Sequence, residues 1–307
     1  MRWFRKKKRA ESPERMETPS EVEIEEMVAN LSDWYSKQPH LPQIDDTDLL
    51  RKFLVNCKYR VQKTKSKLDG YFTARTKLPN VFLNRDPCDE TIRKIGRLCP
   101  FFPLEKTTVD GEVAFVTTAD PDCSEIVAMD FVRRLMMVLD VALLEQKSQL
   151  NFIVIIDYSG FSFSHFLQLI TITKLTMDLM IEIYPGRLRS LHAVNCPSFM
   201  DKIVALYNMM VKGPLRERLF IHNEFEKLHA AVGREFLPKD LGGDEPTIAE
   251  VNDAYQKKVE SYKDWFKSQE EVKSNEDLRP ASKSWFSFGS SSTDEIDEGA
   301  FRKLTVD

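Results

Sequence analysis

The sequence is poor in the residues that build metal sites and disulfide frameworks. Its five cysteines are an odd number among 307 residues, with no Cys-x-x-Cys pair and no histidine partner at metal-ligand spacing. The five histidines also occur singly, whereas a metal site needs ligands that converge. We therefore expect reduced intracellular thiols and neither a metal nor a cofactor. His192 falls in a predicted strand and is predicted to be a hydrogen-bonded core residue.

Motifs for nucleotide binding and for nucleophilic catalysis are missing as well. The chain contains neither Gly-x-Gly-x-x-Gly nor Gly-x-x-x-x-Gly-Lys-Ser/Thr, so no phosphate-binding loop is predicted. The most apolar predicted strand is followed by Asp157-Tyr158-Ser159-Gly160-Phe161, but a nucleophile elbow needs glycine two residues before and two residues after its serine. Ser159 is therefore predicted to be a turn residue, and we expect that the protein is not an enzyme.

The chain also lacks an excess of positive charge and a membrane-spanning run. A formal net charge of -4 and a pI of about 5.9 argue against general nucleic-acid binding, because phosphate backbones attract a basic surface. The longest apolar run, 166–183, contains Lys174, Asp178 and Glu182, which disfavour a transmembrane helix. The basic start, 1–9, is not followed by the apolar core of a secretory signal. We expect a cytoplasmic monomer with no nucleic-acid partner.

The first third of the chain has the pattern of an all-helical subdomain. Ser20 and Glu23 form a capping-box pattern at the start of an amphipathic helix. Two further stripes of apolar residues at helical spacing follow, and Pro79 ends the second of them. Residues 20–100 are therefore predicted to be helical.

After residue 100 the pattern changes to alternating strands and helices. Apolar helices are predicted at 126–144 and 166–183, and strands at 113–118, 152–156 and 188–194. This alternation implies crossover connections and a mostly parallel sheet. The second strand shows no polar alternation, so it is predicted to lie at the sheet centre, covered on both faces.

These patterns divide the chain into five regions. The last of them is serine-rich and acidic, which is typical of disorder. The predicted regions are a basic disordered start (1–19), a helical subdomain (20–100), an α/β domain (101–245), a peripheral helix (246–275) and a disordered tail (276–307).

A cationic and apolar segment lies between residues 186 and 218. Its six basic residues are Arg187, Arg189, Lys202, Lys212, Arg216 and Arg218, and they stand against two acidic ones. The helix between them has one apolar face, which predicts an amphipathic flap that docks on anionic membranes, at about 1 kcal/mol for each basic residue. A solvated basic surface over a core helix is the alternative. Methionines in the two long helices fit either an ordinary core or a pocket for a flexible hydrocarbon.

Several ordered motifs resemble the CRAL-TRIO lipid-binding family, especially its animal branch of α-tocopherol transfer protein and cellular retinaldehyde-binding protein. The resemblance covers roughly residues 45–245. Its motifs are Asp48-Leu49-Leu50-Arg51-Lys52-Phe53-Leu54, Asp157-Tyr158-Ser159-Gly160, Tyr184-Pro185, His192-x-x-Asn195-x-Pro197 and Leu237-Pro238-x-x-x-Gly242-Gly243.

The resemblance implies an α/β fold in which a mostly parallel, curved sheet with flanking helices encloses a lipophilic cavity, beside an all-helical amino-terminal subdomain. It also implies a mobile lid helix at about 195–211 that opens at membranes. A basic cleft beside the lid would bind phosphatidylinositol bisphosphate through Arg187, Arg189 and Arg218, helped by Lys212. Where those members carry a further arginine after Phe-Leu, this chain has Val55-Asn56-Cys57.

The resulting expectation is an intracellular carrier for one hydrophobic molecule, such as a tocopherol, a retinoid or a related isoprenoid, exchanged at phosphoinositide-containing membranes. Its predicted pocket residues are Phe161, Phe163, Leu179, Met180, Tyr184, Leu188, Leu191, Ile203 and Tyr207. One alternative is a phosphoinositide-binding adaptor in vesicle traffic, whose tail with Trp285, Phe286 and Phe288 recruits partners. A hydrolase that uses Ser159 is a third hypothesis.

Overall fold

The computed structural model describes residues 19–44, 46–108, 110–146, 150–211 and 213–280, with the side chain at position 214 left out. The predicted basic start and the aromatic residues of the predicted tail lie outside these ranges.

Within the described residues, five helices precede the sheet. They are α1 (Glu21–Ser36), α2 (Thr47–Asn56), α3 (Val61–Lys77), α4 (Pro79–Phe82) and α5 (Glu90–Leu98). The predicted capping box begins α1, where the Ser20 hydroxyl accepts the Glu23 N–H and the Glu23 carboxylate accepts the Ser20 N–H at 2.7 Å. Pro79 follows α3 and occupies the first turn of α4, where its missing N–H is not needed. The helical amino-terminal subdomain is thus confirmed.

The α/β part is built on a five-stranded sheet in the order β1-β2-β3-β4-β5. Its strands are β1 (Phe101–Pro103), β2 (Val113–Thr117), β3 (Asn151–Asp157), β4 (Arg187–Val194) and β5 (Leu219–His222). β1 runs antiparallel to β2, and the other neighbours are parallel, so the predicted mostly parallel sheet is confirmed. The uninterrupted apolar run at 152–156 lies in the central strand, as its lack of alternation predicted.

In the part of the chain that the structure describes, six more helices lie between the later strands or after the last one. They are α6 (Ala128–Glu145), α7 (Phe163–Asp178), α8 (Met200–Met210), α9 (Phe225–Val232), α10 (Ile248–Glu260) and α11 (Lys263–Ser268). The helix predicted at 166–183 begins earlier and ends in a π-helical turn, Leu179–Ile183. The predicted lid helix corresponds to α8, which begins at Met200 rather than near Asn195, because Asn195 has a left-handed φ of 49° and Pro197 follows.

A buried carboxylate ties the helical subdomain to the α/β part. Asp140 of α6 lies 3.3 Å from Arg75 of α3 and 2.5 Å from Arg85, and it also accepts hydrogen bonds from the hydroxyls of Tyr71 and Tyr184. Burial alone would raise the pKa of this carboxyl, but Arg75 and then Arg85 outweigh burial and hold the pKa below its usual value. Charged hydrogen bonds therefore join α3, α6 and the chain just before β4.

A buried lysine holds the π-helical turn in place. Lys67 of α3 is only 5% exposed, and its ammonium donates to the carbonyl of Ile181 at 2.8 Å and to that of Tyr184. Burial lowers the pKa of Lys67 to about 8. These bonds satisfy carbonyls at the end of the turn and fix where β4 begins.

The Leu-Pro-x-x-x-Gly-Gly motif closes the α/β part through two glycines with different tasks. Gly242 has a φ of 73°, in the left-handed region that residues other than glycine rarely adopt. A Cβ on Gly243 would lie 2.0 Å from the carbonyl oxygen of Leu237. The backbone at 243 can therefore approach Leu237 this closely only because glycine has no side chain. The Gly243 N–H donates to the Pro238 carbonyl at 3.0 Å.

We predict that Asp140→Asn destabilises the protein by about 3–5 kcal/mol, because two buried guanidinium groups lose their anion while the shape of the side chain is kept. The free energy of unfolding from urea denaturation measures the loss. Asp33→Asn is the control, since the Asp33 pair with Lys37 is exposed on α1 and is worth at most about 1 kcal/mol. Equal stability of the two variants would contradict the role of Asp140.

Candidate functional site

An apolar cavity of about 240 Å³ lies between the sheet and helices α6, α7 and α8. Val154 and Ile156 of β3 form its floor with Leu188 and Leu191 of β4. Side chains two apart on a strand point to the same face, which explains the pair on β3. The cavity is therefore built on the central strands, as the resemblance implied.

A β-bulge places Leu188 and Leu191 on the same face although they are three residues apart. Phe152 pairs with Leu188, but Ile153 pairs with Ser190, so Arg189 is the extra residue on β4. An extra residue shifts the alternation by one position. The bulge thus directs both leucines into the cavity.

Helix α7 forms the wall opposite the sheet. Its lining residues recur at helical spacing and are Phe166, Leu169, Ile170, Ile172, Thr173, Thr176 and Met177. Two of them are polar, but the hydroxyl of Thr173 donates to the Leu169 carbonyl at 2.8 Å and that of Thr176 to the Ile172 carbonyl at 2.9 Å. The wall therefore presents a largely apolar surface.

Helix α8 covers the cavity with one face and meets solvent with the other. Met200, Ile203, Leu206 and Tyr207 line the cavity, whereas Met209 is 57% exposed. Near its carboxyl end, the hydroxyl of Tyr207 donates to the carbonyl of Leu215, and Nε of Arg216 donates to the carbonyl of Val211 at 2.9 Å. These bonds connect the end of α8 to the 3₁₀ segment Gly213–Arg218.

The structure brings six of the nine predicted pocket residues to the cavity and places three elsewhere. The six are Phe161, Met180, Leu188, Leu191, Ile203 and Tyr207. Leu179 is fully buried in the main core, and Tyr184 faces away to bond Asp140. Phe163 packs edge-to-face on Phe199, with ring centroids 5.4 Å apart. These three side chains therefore lie outside the cavity lining and pack against the core or against Phe199 instead.

Five basic residues lie on and near the face of β4 that points away from the cavity. We call Lys58, Arg60, Arg187, Arg189 and Arg218 the cationic cluster. Burial, then Arg189, Arg218 and Arg60, lower the pKa of Arg187, and Arg187 is the largest cause that lowers the pKa of Lys58. Arg187 therefore lies close enough to each of the other four basic residues for their charges to interact.

The cationic cluster keeps much of its charge available to an anion. Arg189 pairs with Glu112 through Nε at 2.9 Å, and Arg218 donates to the Leu188 carbonyl. Within the described residues, no carboxylate lies within 4 Å of Lys58, Arg60 or Arg187. Lys212, the remaining predicted phosphate ligand, lies outside the described residues.

Sequence reasoning missed Lys58 and Arg60. They stand in the turn between α2 and α3, where Lys58 and Tyr59 have left-handed φ values of 55° and 57°. The departure at Val55-Asn56-Cys57 suggested a lost positive charge, yet Cys57 is buried and the charge comes from the residues that follow. The run of basic residues at 58–67 was the available signal.

Two histidines stack on the sheet face opposite the cavity. The rings of His192 and His222 are 5.1 Å apart and nearly parallel, and Nδ1 of His192 is 2.8 Å from Nε2 of His222. The Ser190 hydroxyl lies 2.8 Å from the other nitrogen of His192. Burial first, and His222 second, lower the pKa of His192 to about 4. The predicted hydrogen-bonded core histidine is confirmed.

The turn that contains Ser159 is held by an aspartate. Oδ1 of Asp157 accepts the Ser159 N–H and an amide hydrogen of Asn195, each at 2.9 Å. Ser159 thus follows the carboxyl end of β3 as a turn residue. Within the described ranges, no cluster of three or more histidine, cysteine, aspartate or glutamate side chains is arranged to hold a metal ion. None of the helices in those ranges is both long and apolar enough to cross a bilayer.

Two family models match this architecture. A model described as the CRAL/TRIO domain matches residues 101–243, which contain the sheet, the cavity and α8. A model described as a Pinta-like UBA domain matches residues 20–92, which contain α1 to α4.

Individual relatives agree with these models. Clavesin-1 of Rattus norvegicus is 31% identical over 208 residues, which cover 66% of this chain and 58% of that protein. Clavesin-2 of Homo sapiens is 26% identical over 205 residues, which cover 65% of this chain and 62% of that protein. The match thus spans less than two thirds of either relative. The crystal structure of Sfh5 has a similar fold, with a TM-score of 0.52 at 12% identity, over 76% of this chain and 91% of that one.

We predict that His192→Gln reduces the loss of stability in mild acid. The unfolded chain takes up a proton near the ordinary histidine pKa of about 6.5, whereas folded His192 does so only at about 4. The wild-type free energy of unfolding therefore falls as the pH drops between these values, by at most about 3 kcal/mol from this residue. Urea denaturation at pH 7 and pH 5 measures the difference. If the free energy of unfolding falls equally with pH in the wild type and in His192→Gln, the role assigned to His192 is refuted.

Proposed function

The chain belongs to the CRAL/TRIO lipid-binding family, and from this premise we propose that it is a carrier that encloses one hydrophobic molecule and exchanges it at phosphoinositide-containing membranes. The observation that carries the proposal is the apolar cavity covered by the inner face of α8. Tocopherols, retinoids and related isoprenoids are the candidate cargoes. The proposed carrier is a cytoplasmic monomer that visits membranes transiently, and it has no catalytic step and no nucleic-acid partner.

The cavity can supply enough free energy for capture. Transfer of a hydrocarbon of roughly 20 carbons from water contributes about 0.8 kcal/mol per methylene-sized group, or about 16 kcal/mol before the entropic cost of binding. Apolar side chains from β3, β4, α7 and α8 surround the space. Binding of such a molecule therefore needs few polar contacts.

The outer surface near α8 supports exchange at a membrane. Met209 of α8 and Leu167 of α7 are 57% and 47% exposed, which leaves apolar side chains available to a lipid surface. The bonds from Tyr207 and Arg216 connect one end of α8 to the neighbouring segment. In the proposed cycle, α8 moves away from the cavity when these apolar side chains enter the bilayer interface.

The cationic cluster supports recognition of anionic headgroups. Each basic residue near an anionic leaflet contributes about 1 kcal/mol to membrane binding. One guanidinium group can also bind two phosphate oxygens at once. Five such residues from β4, the segment before β5 and the α2–α3 turn lie together. This arrangement favours a multiply charged headgroup, such as phosphatidylinositol bisphosphate, over a singly charged one.

A phosphoinositide-binding adaptor remains the second candidate function, and the cationic cluster is the observation that favours it. An adaptor needs the cluster and no cargo. The residues proposed to recruit its partners, Trp285, Phe286 and Phe288, lie outside the described residues. Native mass spectrometry distinguishes the two functions, since a carrier retains bound lipid and an adaptor does not.

We predict that Leu191→Trp lowers the fraction of protein that carries lipid by more than half, because the indole occupies the cavity from β4. Native mass spectrometry of the purified chain measures this fraction. Leu278→Trp is the matched control, since its side chain is 53% exposed in the 3₁₀ turn Glu276–Leu278, does not line the cavity and should leave occupancy unchanged. Equal occupancy in both variants, with both folded by circular dichroism, would contradict the cavity as the cargo site.

We predict that Arg60→Gln together with Arg187→Gln weakens binding to vesicles that contain phosphatidylinositol bisphosphate by about tenfold or more, because two charges of the cationic cluster are lost. Vesicle flotation at low and physiological salt measures binding. Lys239→Gln together with Lys257→Gln removes the same charge from exposed positions elsewhere. If both pairs weaken binding equally, attraction by total charge explains the result and the cluster does not.

A further inference from the structure

The last described residues of the chain lie along helix α3. The Thr76 hydroxyl, near the carboxyl end of α3, donates to the Ser274 carbonyl at 2.6 Å. Five residues later, the guanidinium of Arg279 donates to both carboxylate oxygens of Asp69, at 2.8 and 2.9 Å. Residues 274–279 therefore run along α3 toward its first turn. Arg279 fixes the point from which the rest of the chain continues.

That point lies near the cationic cluster. Arg60 precedes the first residue of α3 and is nine positions before Asp69, so the two are roughly 14 Å apart along the helix axis. The helix between them contains no carboxylate, and its exposed surface includes Lys63. The ammonium of Lys65 lies over the ring of Trp34, 5.0 Å from its centroid. The surface between the end of the described chain and the cluster is therefore basic as well.

The sequence after the last described residue contains a short, strongly negative stretch. We call residues 294–298 the acidic segment, because four of its five residues are carboxylates, and no lysine, arginine or histidine occurs from 284 to 301. Asp294 is fifteen residues after Arg279, and a chain of that length spans at most about 50 Å. The acidic segment can therefore contact a cluster that begins roughly 14 Å from Asp69.

The cationic cluster is suited to such a ligand. Among the described residues, no carboxylate lies within 4 Å of Lys58, Arg60 or Arg187, so the cluster holds more positive than negative charge. Lys58 and Arg60 are exposed, and Arg187 is half-buried. An anion placed among like charges relieves their repulsion. Because the acidic segment belongs to the same chain, its effective concentration at the cluster is on the order of millimolar.

From these observations we propose that the acidic segment docks on the cationic cluster of its own molecule and competes there with anionic headgroups. The cluster thus has a second ligand, an acidic peptide. This inference goes beyond the carrier function, because the docked segment holds the protein in a state that binds membranes weakly. A membrane with enough negative charge displaces the segment.

Carbodiimide cross-linking tests the contact in the full-length chain and needs no membrane. The reagent activates a carboxylate, and a lysine amine in contact with that carboxylate forms an amide bond with it. We expect cross-links from the acidic segment to Lys58 and Lys63 in the monomeric fraction, identified by mass spectrometry. Cross-links of the segment mainly to lysines elsewhere, such as Lys239 and Lys257 or the basic start at 1–9, would overturn the proposal.

Two controls give the cross-linking experiment its specificity. Arg60→Gln together with Arg187→Gln should lower the yield at Lys58 by about fivefold, because two ion pairs with the segment are lost. Lys239→Gln together with Lys257→Gln removes the same charge elsewhere and should leave that yield unchanged. A mixture of unlabelled and ¹⁵N-labelled chains separates docking within one chain from docking between copies. Cross-links mainly between the two kinds of chain would overturn docking within the molecule.

Removal of the negative charge tests the competition. The neutral-segment variant carries Asp294→Asn, Glu295→Gln, Asp297→Asn and Glu298→Gln. It should bind vesicles with phosphatidylinositol bisphosphate about tenfold more tightly than the wild type, because the segment no longer occupies the cluster. The control variant removes four exposed carboxylates of the folded part and should gain less than about twofold, since distant charges are screened. It carries Glu25→Gln, Glu26→Gln, Asp253→Asn and Asp264→Asn.

The gain must also depend on the cationic cluster. In a protein that already carries Arg60→Gln and Arg187→Gln, neutralising the segment should improve vesicle binding by less than about threefold, because the two changes act on one contact. Equal gains from the neutral-segment and control variants, or equal gains with and without the two arginines, would overturn the competition. If no variant binds these vesicles, the proposed membrane function fails, and the cross-links still decide whether the segment docks on the cluster.

Discussion

The rest of the structure depends on one constraint, which is that an apolar cavity must stay open although an unfilled cavity costs free energy. Empty cavities cost about 24 cal/mol per Å³, so a space of about 240 Å³ costs about 6 kcal/mol when nothing fills it. That is a large part of the 5–15 kcal/mol by which proteins are usually stable. The walls must therefore be held in place by interactions outside the cavity, and a cargo that fills the space stabilises the fold.

Buried charged groups outside the cavity lining provide that support. Asp140 binds Arg75 and Arg85, and Lys67 caps the carbonyls of the π-helical turn. Both sets join the helical subdomain to the segment that enters β4. The helical subdomain therefore positions β4, the strand whose two faces carry part of the cavity lining and part of the cationic cluster.

Strand β4 carries part of the cavity lining on one face and part of the cationic cluster on the other. Its bulge at Arg189 sets Leu188 and Leu191 into the cavity, while Arg187 joins the cationic cluster on the far side. In the proposed function, a hydrocarbon and an anionic headgroup meet different faces of the same strand. In that function, this separation lets a membrane headgroup be recognised while the cargo remains in the apolar cavity.

The order of helices and strands, the central position of the apolar run at 152–156 and the capping of α1 followed from the sequence by itself, because local periodicity and turn chemistry decide them. Six of the nine predicted pocket residues also line the cavity, although the β-bulge that directs both Leu188 and Leu191 into it is not contained in the spacing of the strand. Only the tertiary structure decided that Leu179 and Tyr184 face the core, and that Lys58 and Arg60 join arginines more than 100 residues away. A π-helical turn changes the direction of side chains, and it has no clear sequence pattern. Contacts between distant segments depend on how the folded elements pack together. The sequence pattern of either segment alone does not contain that information.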